Sequence, residues 1–392
     1  MRVAVLGARR TPIGKFLGAL AGLRAADLGA SLVPTLLADA KVRADQVDEL
    51  VLGVARQAGG GPNPARQVAI RSGIPADRTS YTLNMACGSG LLAVIQGAQA
   101  ILRGEARLVV AGGAESMSRV PYLLEQAREG YRLGSGELVD AMYRDGFQCP
   151  LADQLMGRTA ENLAEEFHID RREQDEYAVE SQRRCETARK AGYFSPEIAP
   201  VTVTGARGAP TLVAVDEHPR DGTTLESMTK LKPVFKDGGT VHPGNSSGIT
   251  DGAAALLLAS DSYAAQLGVE PLAWLGASSK AGVEPRRMGL GPVPAVQKLL
   301  EATGRALSSY DLVELNEAFA AQVLACERQL RIGDARLNVN GGAIALGHPI
   351  GATGARILVT LIHELRRRSA TRGLATLCVS GGLGLALEVE CR

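Results

Sequence analysis

The feature that most constrains the fold of this chain is an internal repeat. Four segments of the first third recur, in the same order and at a similar offset, in the last third. The repeated pairs are Leu6-Gly7-Ala8 with Leu275-Gly276-Ala277, residues 48–52 with 311–315, the helix after Cys87 with that after His348, and residues 107–113 with 375–382. Chance similarity among apolar strands is the alternative. The preserved order favours duplication of a strand–helix unit.

The alternation of strand and helix patterns predicts an α/β fold with a mostly parallel sheet covered on both faces. Residues 120–244 differ, because charged residues become frequent and the alternation fades. Two amphipathic helices are expected there, at residues 159–167 and 170–190, with Asp170 as an N-cap. Such an insertion is expected to bind ligand, although a cap or an oligomer contact is the alternative.

We therefore predict three parts. Residues 1–119 and 245–270 form the N-terminal half, residues 120–244 form an inserted loop domain, and residues 271–392 form the C-terminal half. A chain of 392 residues is long enough for more than one core.

Composition excludes several classes of function. Lysine and arginine number 43 against 42 acidic residues, so no nucleic-acid partner is expected. The six cysteines form no C-x-x-C pair and no histidine lies at metal-ligand spacing, so no metal site is expected. No apolar stretch is long enough to cross a bilayer, and Met1–Leu6 enters a strand pattern without a signal peptide. Free thiols in a reducing cytoplasm, with no membrane partner, are the resulting expectation.

Cys87 is the first candidate for catalysis. It lies in Asn84-Met85-Ala86-Cys87-Gly88-Ser89-Gly90, between an extended segment at 79–83 and a buried helix predicted at 91–102. At a helix N-terminus the free N–H groups and the helix dipole favour an anion, so the thiol is expected to ionise more easily than a free one. That would make it an activated nucleophile. A buried structural cysteine beside a glycine turn is the alternative.

The repeat predicts which residues join Cys87. Since Cys87 and His348 begin equivalent helices, a pseudo-two-fold axis would bring both helix N-termini to one cavity. Loops after two predicted strands would add Asn316 and Cys378. His348 could take the Cys87 proton, and Cys378 could act as an acid or base. The remaining histidines are expected at the surface: His168, His218, His242 and His363.

Two cysteines, one histidine and one asparagine suit carbon–carbon bond chemistry better than hydrolysis. One thiolate would hold an acyl group while the other sulfur moves a proton at the carbon alpha to a thioester. A cysteine peptidase would need only one cysteine.

The sequence resembles the thiolase family along essentially its whole length. Eight matching segments occur in family order, which makes the resemblance specific. They are residues 63–67 (NPARQ), 87–90 (CGSG), 112–118 (GGAESMS), 156–162 (MGRTAEN), 244–248 (GNSSG), 316–319 (NEAF), 340–349 (NGGAIALGHP) and 378–382 (CVSGG).

The resemblance implies a fold and a set of roles. The fold is a thiolase-like pair of duplicated βαβαβαββ halves in a five-layered α-β-α-β-α arrangement with an inserted loop domain. Cys87 would be acylated, His348 would activate it and bind the thioester oxygen, and Cys378 would be the acid/base. Asn316 would hold an oxyanion-hole water, while the backbone amides of Cys87 and Ser380 would form a second hole.

It also implies what is bound. Ser247 would lie near the pantetheine of CoA and Arg220 near its nucleotide, with Leu155 and Met156 as further substrate contacts. Coenzyme A and acetyl-CoA would be substrates, with no bound cofactor or metal. A homotetramer arranged as a dimer of dimers is expected, and a dimer at minimum.

Three positions depart from the family pattern. Ser380 replaces the first glycine of Cys-x-Gly-Gly-Gly, which would strain the oxyanion hole only if that position needs a positive φ. Leu155 replaces a histidine that is typical of acetoacetyl-CoA-specific members, and Leu155-Met156 is similar to 3-ketoacyl-CoA thiolases that accept longer chains. His242-Pro243 replaces the commoner Thr-Ala.

The expected reaction is thiolysis of a 3-ketoacyl-CoA to acetyl-CoA and a shortened acyl-CoA, or the reverse Claisen condensation, through an acyl-cysteine in ping-pong fashion. The departures favour a degradative or broad-specificity enzyme over an acetoacetyl-CoA-specific biosynthetic one. Ketoacyl synthases share the duplicated fold, but Cys378 argues against them. A non-catalytic acyl-CoA or lipid binder would be expected to have lost one of the four groups.

Overall fold

The computed structural model describes residues 1–204 and 208–391. The N-terminal part contains eight elements: β1 (Val3–Arg10), β2 (Gly14–Lys15), α1 (Ala25–Asp39), β3 (Glu49–Gly53), α2 (Pro64–Arg71), β4 (Thr79–Leu83), α3 (Ser89–Leu102) and β5 (Leu108–Ser116).

The insertion holds short strands and three helices. Its elements are β6 (Tyr122–Leu123), β7 (Val139–Asp140), β8 (Gln148–Cys149), β9 (Gln154–Leu155), α4 (Met156–Glu166), α5 (Arg171–Lys190), β10 (Val201–Thr204), β11 (Pro210–Val213) and α6 (Leu225–Thr229). Both predicted amphipathic helices are confirmed as α4 and α5, and the Asp170 carboxylate caps α5 by accepting a hydrogen bond from the Glu173 amide at 2.8 Å.

The chain then returns to the core. The remaining elements are β12 (Thr250–Ser260), α7 (Asp261–Leu267), β13 (Ala273–Gly282), α8 (Pro292–Thr303), β14 (Leu312–Leu315), α9 (Ala320–Leu330), α10 (Ala343–Leu346), α11 (Ile350–Arg367), β15 (Arg372–Val379) and β16 (Leu383–Glu390). Among residues 1–204 and 208–391, none of the helices combines the length and apolar character needed to cross a bilayer.

One ten-stranded sheet joins the two halves, and its strand order confirms the duplication. The order is β14-β15-β16-β13-β1-β12-β5-β3-β4, with β2 paired to β12. Outward from the centre, β1-β12-β5-β3 is matched by β13-β16-β15-β14. The halves meet where β1 and β13 pair antiparallel, with Val3 opposite Leu275 and Val5 opposite Ala273. An antiparallel join of equivalent strands places a pseudo-two-fold axis between them.

The prediction of a mostly parallel sheet is wrong. Only the pairs β3–β4, β3–β5 and β14–β15 are parallel. The other five neighbouring pairs along the strand order are antiparallel. The reason is that the last strand of each half does not follow a crossover helix: β12 follows the insertion, and β16 follows β15 through a tight turn.

Helices form three layers around the two half-sheets. One apolar cluster unites α3 and α11 with inward residues of β3, β5, β12, β15 and β16. A second cluster packs α1 and α2 on the outer face of the first half. A third packs α8 and α9 on the outer face of the second half. This is the expected five-layered arrangement.

The two central helices cross backbone to backbone. A side chain at Gly90 of α3 would lie 2.9 Å from both the Gly351 carbonyl oxygen and the Ala355 nitrogen. One at Gly354 of α11 would lie 2.4 Å from the Leu91 nitrogen. The same closeness explains the glycine at position 113 of β5, because a side chain there would meet the Gly351 carbonyl oxygen.

Candidate active site

A strained turn presents Cys87 at the start of α3. Ala86, immediately before it, has a positive φ of 43°, which a residue with a Cβ rarely adopts. Neighbouring side chains hold the turn: the Asn84 amide oxygen accepts from the Ala86 N–H at 2.8 Å, and the Ser89 hydroxyl donates to the Ala86 carbonyl at 2.7 Å. Backbone strain that surrounding hydrogen bonds maintain is typical of a functional site, where a side chain must point in one direction.

The expected easier ionisation of Cys87 is wrong for the unliganded protein. Burial raises the pKa of the thiol, and this outweighs the influences that favour the thiolate. Those influences are the Ser380 backbone amide, the positive charge of Arg56 and the backbone amide of Cys87 itself. The backbone amides at the start of the helix therefore favour the thiolate, but the loss of solvation is larger and raises the pKa of Cys87 overall. The thiol needs a base.

His348 is held as a neutral imidazole with one free nitrogen. Its Nδ1 lies 2.6 Å from the Thr353 hydroxyl, which itself donates to the Pro349 carbonyl at 3.0 Å. Since that hydroxyl proton is used, Nδ1–H is the donor and Nε2 is the unprotonated nitrogen. Burial, together with the charges of Arg356 and Arg56, lowers the pKa of His348 to about 3. His348 Nε2 is buried and has no hydrogen-bond partner, so it is free to accept a proton.

The backbone around His348 is equally fixed. Gly347 has a φ of 99°, and a side chain there would collide with Thr250. The His348 N–H donates to the Gly248 carbonyl at 3.0 Å, so the segment that carries Ser247 also supports the histidine.

Cys378 lies near the end of β15 and is only 1% exposed. Burial first, and then the charge of Cys87, raise the pKa of its thiol well above the usual range. Cys378 is therefore protonated at rest, as an acid must be. It packs with Met288, Ala318 and Phe319, with Met156 against the same cluster.

Asn316 follows β14 and turns an unsatisfied amide into the interior. Its backbone N–H donates to the Thr376 carbonyl at 3.0 Å. Both polar atoms of its side chain are buried without a partner. Buried polar groups are normally paired, so such an orphan amide indicates a place for water or substrate.

The neighbouring Glu317, which sequence reasoning did not single out, anchors this loop. Its carboxylate accepts from Ser181 Oγ at 2.7 Å, Tyr177 OH at 2.9 Å, and the Asn338 amide and Ile344 N–H at 3.1 Å each. The loop of Asn316 is thereby tied both to α5 of the insertion and to the segment leading to His348.

The four predicted residues converge. The Ser380 amide acts to lower the pKa of the Cys87 thiol, and Cys87 in turn raises the pKa of the Cys378 thiol. Cys87 packs against an apolar cluster that contains Ile350, which lies two residues beyond His348. Asn316 is hydrogen-bonded two residues before Cys378. The site contains a thiol at a helix start, a neutral imidazole with a free nitrogen, a protonated thiol and an unpaired amide.

Ser380 does not need a positive φ. The residues of this turn with positive φ are Gly381 at 88° and Gly382 at 87°, and Ser380 is not among them. A serine therefore presents the same N–H as a glycine would, and the departure leaves the backbone unstrained.

The predicted substrate contacts lie on the insertion and its exit loop. Ser247 is partly exposed and its N–H donates to the Ala318 carbonyl at 3.0 Å. Arg220 is exposed, with its backbone N–H bonded to the Gln182 side chain at 3.0 Å. Leu155 pairs with Gln148 in the β8–β9 hairpin, and Met156 begins α4 against the Cys378 cluster.

The surface prediction is wrong for His242, which is fully buried. Its Nε2 lies 2.7 Å from Asp175 Oδ1, and its Nδ1 accepts from the Gly244 N–H at 3.0 Å. Asp175 also accepts from Asn245 at 3.0 Å and from Arg171 at 2.7 Å. His242 thus fastens the loop of Ser247 to α5. His168 is exposed as predicted, while His218 and His363 are partly buried.

Glu115 and Arg56 are further residues that sequence reasoning did not single out. The buried Glu115 carboxylate accepts from the Ala55 and Arg56 amides at 3.1 Å and from the Gly351 amide at 2.9 Å, which joins both halves beside the site. A lone acid within an apolar strand was the available signal for Glu115.

Within residues 1–204 and 208–391, no group of three or more histidine, cysteine, aspartate or glutamate side chains could hold a metal ion.

Comparison with known proteins identifies what the chain is similar to. Family models described as "Thiolase, N-terminal domain" and "Thiolase, C-terminal domain" match residues 3–262 and 269–391. Acetyl-CoA acetyltransferase of Chromobacterium violaceum is 50% identical over 390 residues, covering all of both chains. That of Cupriavidus necator is 49% identical over 388 residues, covering 99% of each.

Solved structures agree. The Bacillus anthracis acetyl-CoA acetyltransferase superposes with a TM-score of 0.98 at 43% identity, covering all of this chain and 99% of that one. Human mitochondrial 3-ketoacyl-CoA thiolase gives 0.96 at 41% identity, with the same coverage.

Proposed function

Since the chain belongs to the thiolase family and is a thiolase acyltransferase, we propose that Cys87 carries the acyl group while His348, Cys378 and Asn316 serve its formation and transfer. The observation that carries this proposal is the set of buried atoms without hydrogen-bond partners on two of these residues: His348 Nε2 and both polar atoms of the Asn316 side chain. They match the needs of one base and one oxyanion site.

In the thiolytic direction, His348 Nε2 takes the proton of Cys87, and the thiolate attacks the 3-keto carbon. The backbone amides of Cys87 and Ser380 stabilise the resulting oxyanion. The bond between carbons 2 and 3 then breaks. The electron pair passes to the acetyl-CoA enolate, whose oxygen faces His348 and a water on Asn316, and Cys378 gives its proton to carbon 2.

In the second half, CoA enters as a thiol. The Cys378 thiolate takes its proton, the CoA sulfur attacks the acyl-cysteine carbonyl, and Cys87 departs with the proton held by His348. Both sulfurs and the imidazole are then restored. Coenzyme A and acyl-CoA are substrates in this scheme, and the chain's own side chains carry every proton.

This scheme is tested by incubating the protein with acetyl-CoA and locating the acetyl group by peptide mass spectrometry. Label on Cys87 that is discharged by free CoA is expected. Stable label on another residue, with Cys87 unmodified during turnover, would refute the assignment of the nucleophile.

We propose that the enzyme accepts 3-ketoacyl-CoA substrates longer than acetoacetyl-CoA. Met156 packs against the apolar cluster that contains Cys378. Leu155, the residue before it, would extend this apolar surface along the acyl chain. An apolar wall favours each added methylene by about 0.8 kcal/mol that a polar one would not. A degradative role in fatty acid β-oxidation accords with such breadth.

The names of the relatives favour a second candidate, an enzyme restricted to acetyl-CoA and acetoacetyl-CoA. Thiolysis rates for chains of increasing length separate the two. Activity that falls to background beyond acetoacetyl-CoA would support the restricted enzyme.

We also propose a homotetramer, with a dimer as the minimal unit. Exposed apolar side chains are concentrated between β6 and α4, including Tyr122, Leu133, Leu138 and Leu151, and such side chains favour burial between subunits. Light scattering after gel filtration gives the assembly directly, and a monomer at micromolar concentration would contradict the proposal.

We place the enzyme in the cytoplasm. All six cysteines are free thiols, which fits a reducing compartment. Fractionation of cells that express the tagged protein tests this location.

A further inference from the structure

A cavity on the side of α1 is lined by three arginines and by no acidic residue. Its volume is about 240 Å³. The arginines are Arg24, Arg56 and Arg119, and the remaining lining consists of small, apolar or uncharged residues. Across residues 1–204 and 208–391, none of the three guanidinium groups lies within 4.0 Å of a carboxylate oxygen. This is unusual in a protein where most buried or half-buried arginines are paired. The buried Glu115 carboxylate, which does not line the cavity, offsets part of the charge of Arg56, and the charges of Arg24 and Arg119 remain in excess.

Arg56 is the least exposed of the three arginines. It is half-buried, its Nε is fully shielded without a hydrogen-bond partner, and its Nη1 makes only one long bond of 3.4 Å to the Ala55 carbonyl. A shielded donor without a partner lacks both water and protein acceptors. Arg24 and Arg119 are exposed at the rim.

The start of α1 adds donors of the same polarity. Ala25 and Ala26, its first two residues, line the cavity, and amides in the first turn of a helix have no acceptor within the helix. The nearby acid of that turn is already used: Asp27 accepts from the Arg24 amide at 2.8 Å and pairs with Arg71 at 2.6 Å. The helix N-terminus therefore presents free N–H groups and a positive dipole end to the same space.

We propose that this cavity binds a phosphate group, as inorganic phosphate or as the headgroup of a small phosphate monoester, between Arg24, Arg56, Arg119 and the first turn of α1. A guanidinium fork matches phosphate geometry in two-point hydrogen bonds. The site is separate from the predicted CoA contacts, since Ser247, Arg220, Leu155 and Met156 do not line the cavity.

Occupancy would reach the nucleophile through Arg56. Its charge favours the Cys87 thiolate and disfavours a charged His348. A bound dianion offsets that charge, so the Cys87 thiol becomes harder to ionise. This effect depends on the role of Cys87 proposed above, whereas phosphate binding does not.

The test measures binding of inorganic phosphate and, separately, of glycerol 3-phosphate by calorimetry, with ionic strength held constant by sodium chloride. Both titrations are run with and without saturating CoA, so that the CoA site is occupied in one arm. Saturable binding that persists with CoA is expected. The tighter of the two probes shows whether the site prefers the free ion or a monoester.

Arg24→Gln/Arg119→Gln is the informative variant, because both residues are exposed and their replacement leaves the core intact. Loss of two charge-assisted contacts should weaken binding by at least about tenfold. Arg286→Gln/Arg331→Gln is the matched control, since it removes the same charge from exposed arginines outside both the cavity and the proposed subunit contact. Arg56→Gln should abolish binding, and thermal unfolding checks that it folds.

Three results would overturn the proposal: no saturable binding of either probe, binding that disappears when CoA is present, or equal affinity in the rim variant and its control. A separate readout is the alkylation rate of Cys87 by iodoacetamide, which saturating phosphate should lower in the wild type and leave unchanged in the rim variant. If phosphate binds but the alkylation rate of Cys87 is unchanged, the binding site is supported and its effect on Cys87 is rejected. Loss of thiolase turnover in a Cys87 variant bears on neither.

Discussion

The turn that contains Cys87 packs against Val379, because a side chain at Gly88 would lie only 2.9 Å from Val379 Cγ2. The backbone amide of the next residue, Ser380, favours the Cys87 thiolate, so a turn of one half of the protein acts on a cysteine of the other. The contact couples the turn after β15 to the start of α3. In the proposed reaction, the Ser380 amide would stabilise the negative charge that develops during acyl transfer. The positions of both residues follow from the fold, whereas the electrostatic balance at Cys87 emerges only from the packed structure.

Replacing Cys87 by alanine should reduce the steady-state thiolysis rate by about 10⁴-fold or more, because removal of a nucleophile ends the covalent route. Cys149→Ala is the control, since Cys149 is equally free but lies in β8 outside the four-residue site. A Cys87→Ala enzyme that retains a tenth of the wild-type rate would remove Cys87 from the mechanism.

Replacing Cys378 by serine should separate acylation from condensation. A hydroxyl keeps the shape but is a far weaker acid and base, so Cys87 still becomes acetylated while condensation falls by about 10²–10⁴-fold. Rapid quench after mixing with acetyl-CoA measures the two steps. Equal slowing of both steps would mean that Cys378 supports the site only through packing.

The free enzyme should show an unreactive Cys87 at neutral pH. Because burial raises the pKa of its thiol, the midpoint of iodoacetamide alkylation of Cys87 should lie above the value of about 8.5 for an exposed cysteine. Arg56→Gln should move the midpoint higher still, since a charge that favours the thiolate is lost. The experiment is best done with Cys378→Ser, and a midpoint near neutrality would show that a thiolate is already formed.

His348 should make the fold sensitive to acid. Its pKa is about 3 in the folded protein and about 6.5 when unfolded, so the unfolded state binds the proton first. Stability is then intact above the unfolded pKa and is lost as pH falls from about 6.5 towards about 3. Between pH 7 and pH 5 the wild type should lose about 2 kcal/mol more than His348→Gln in urea unfolding. Equal losses of stability in the two proteins would mean that the pKa of His348 is the same in the folded and unfolded states.

His242 should act on the CoA segment through Asp175. His242→Thr leaves Asp175 and the Gly244 amide short of partners, which should cost about 1–3 kcal/mol of stability. Since the loop also carries Ser247, the KM for CoA should rise more than kcat falls. His168→Asn is the control, because His168 is exposed and its φ of 51° tolerates asparagine but not the β-branched threonine. A fall in kcat with an unchanged KM would place the effect elsewhere.

Sequence reasoning reached the catalytic candidates because they lie in turns whose position depends on the repeat. Cys87, His348, Asn316 and Cys378 were each predicted from a local pattern, and the strand order brings those patterns together. What it missed depends on contacts distant in sequence. Strand direction was misjudged because no local signal shows that β12 and β16 lack a crossover helix.

The same limit explains the individual residues. The loop that contains His242 is rich in glycine and proline, which predicts an exposed histidine. The pairing with Asp175, which is distant in sequence, is what allows His242 to be buried. Arg56 carries no motif, and its importance arises from being close to Cys87 and His348 in the folded chain. Glu317 stands beside a predicted residue, but its four hydrogen bonds come from three distant segments.

The antiparallel join of β1 and β13 has a consequence for how such a site can arise. Two identical half-length chains associated about that axis would have carried the same group at both helix starts. Fusion into one polypeptide frees the copies to diverge, so that one helix start carries a sulfur and the other an imidazole. Division of labour between a nucleophile and its base is thus available to a tandem gene in a way that it is not to a symmetric pair of subunits.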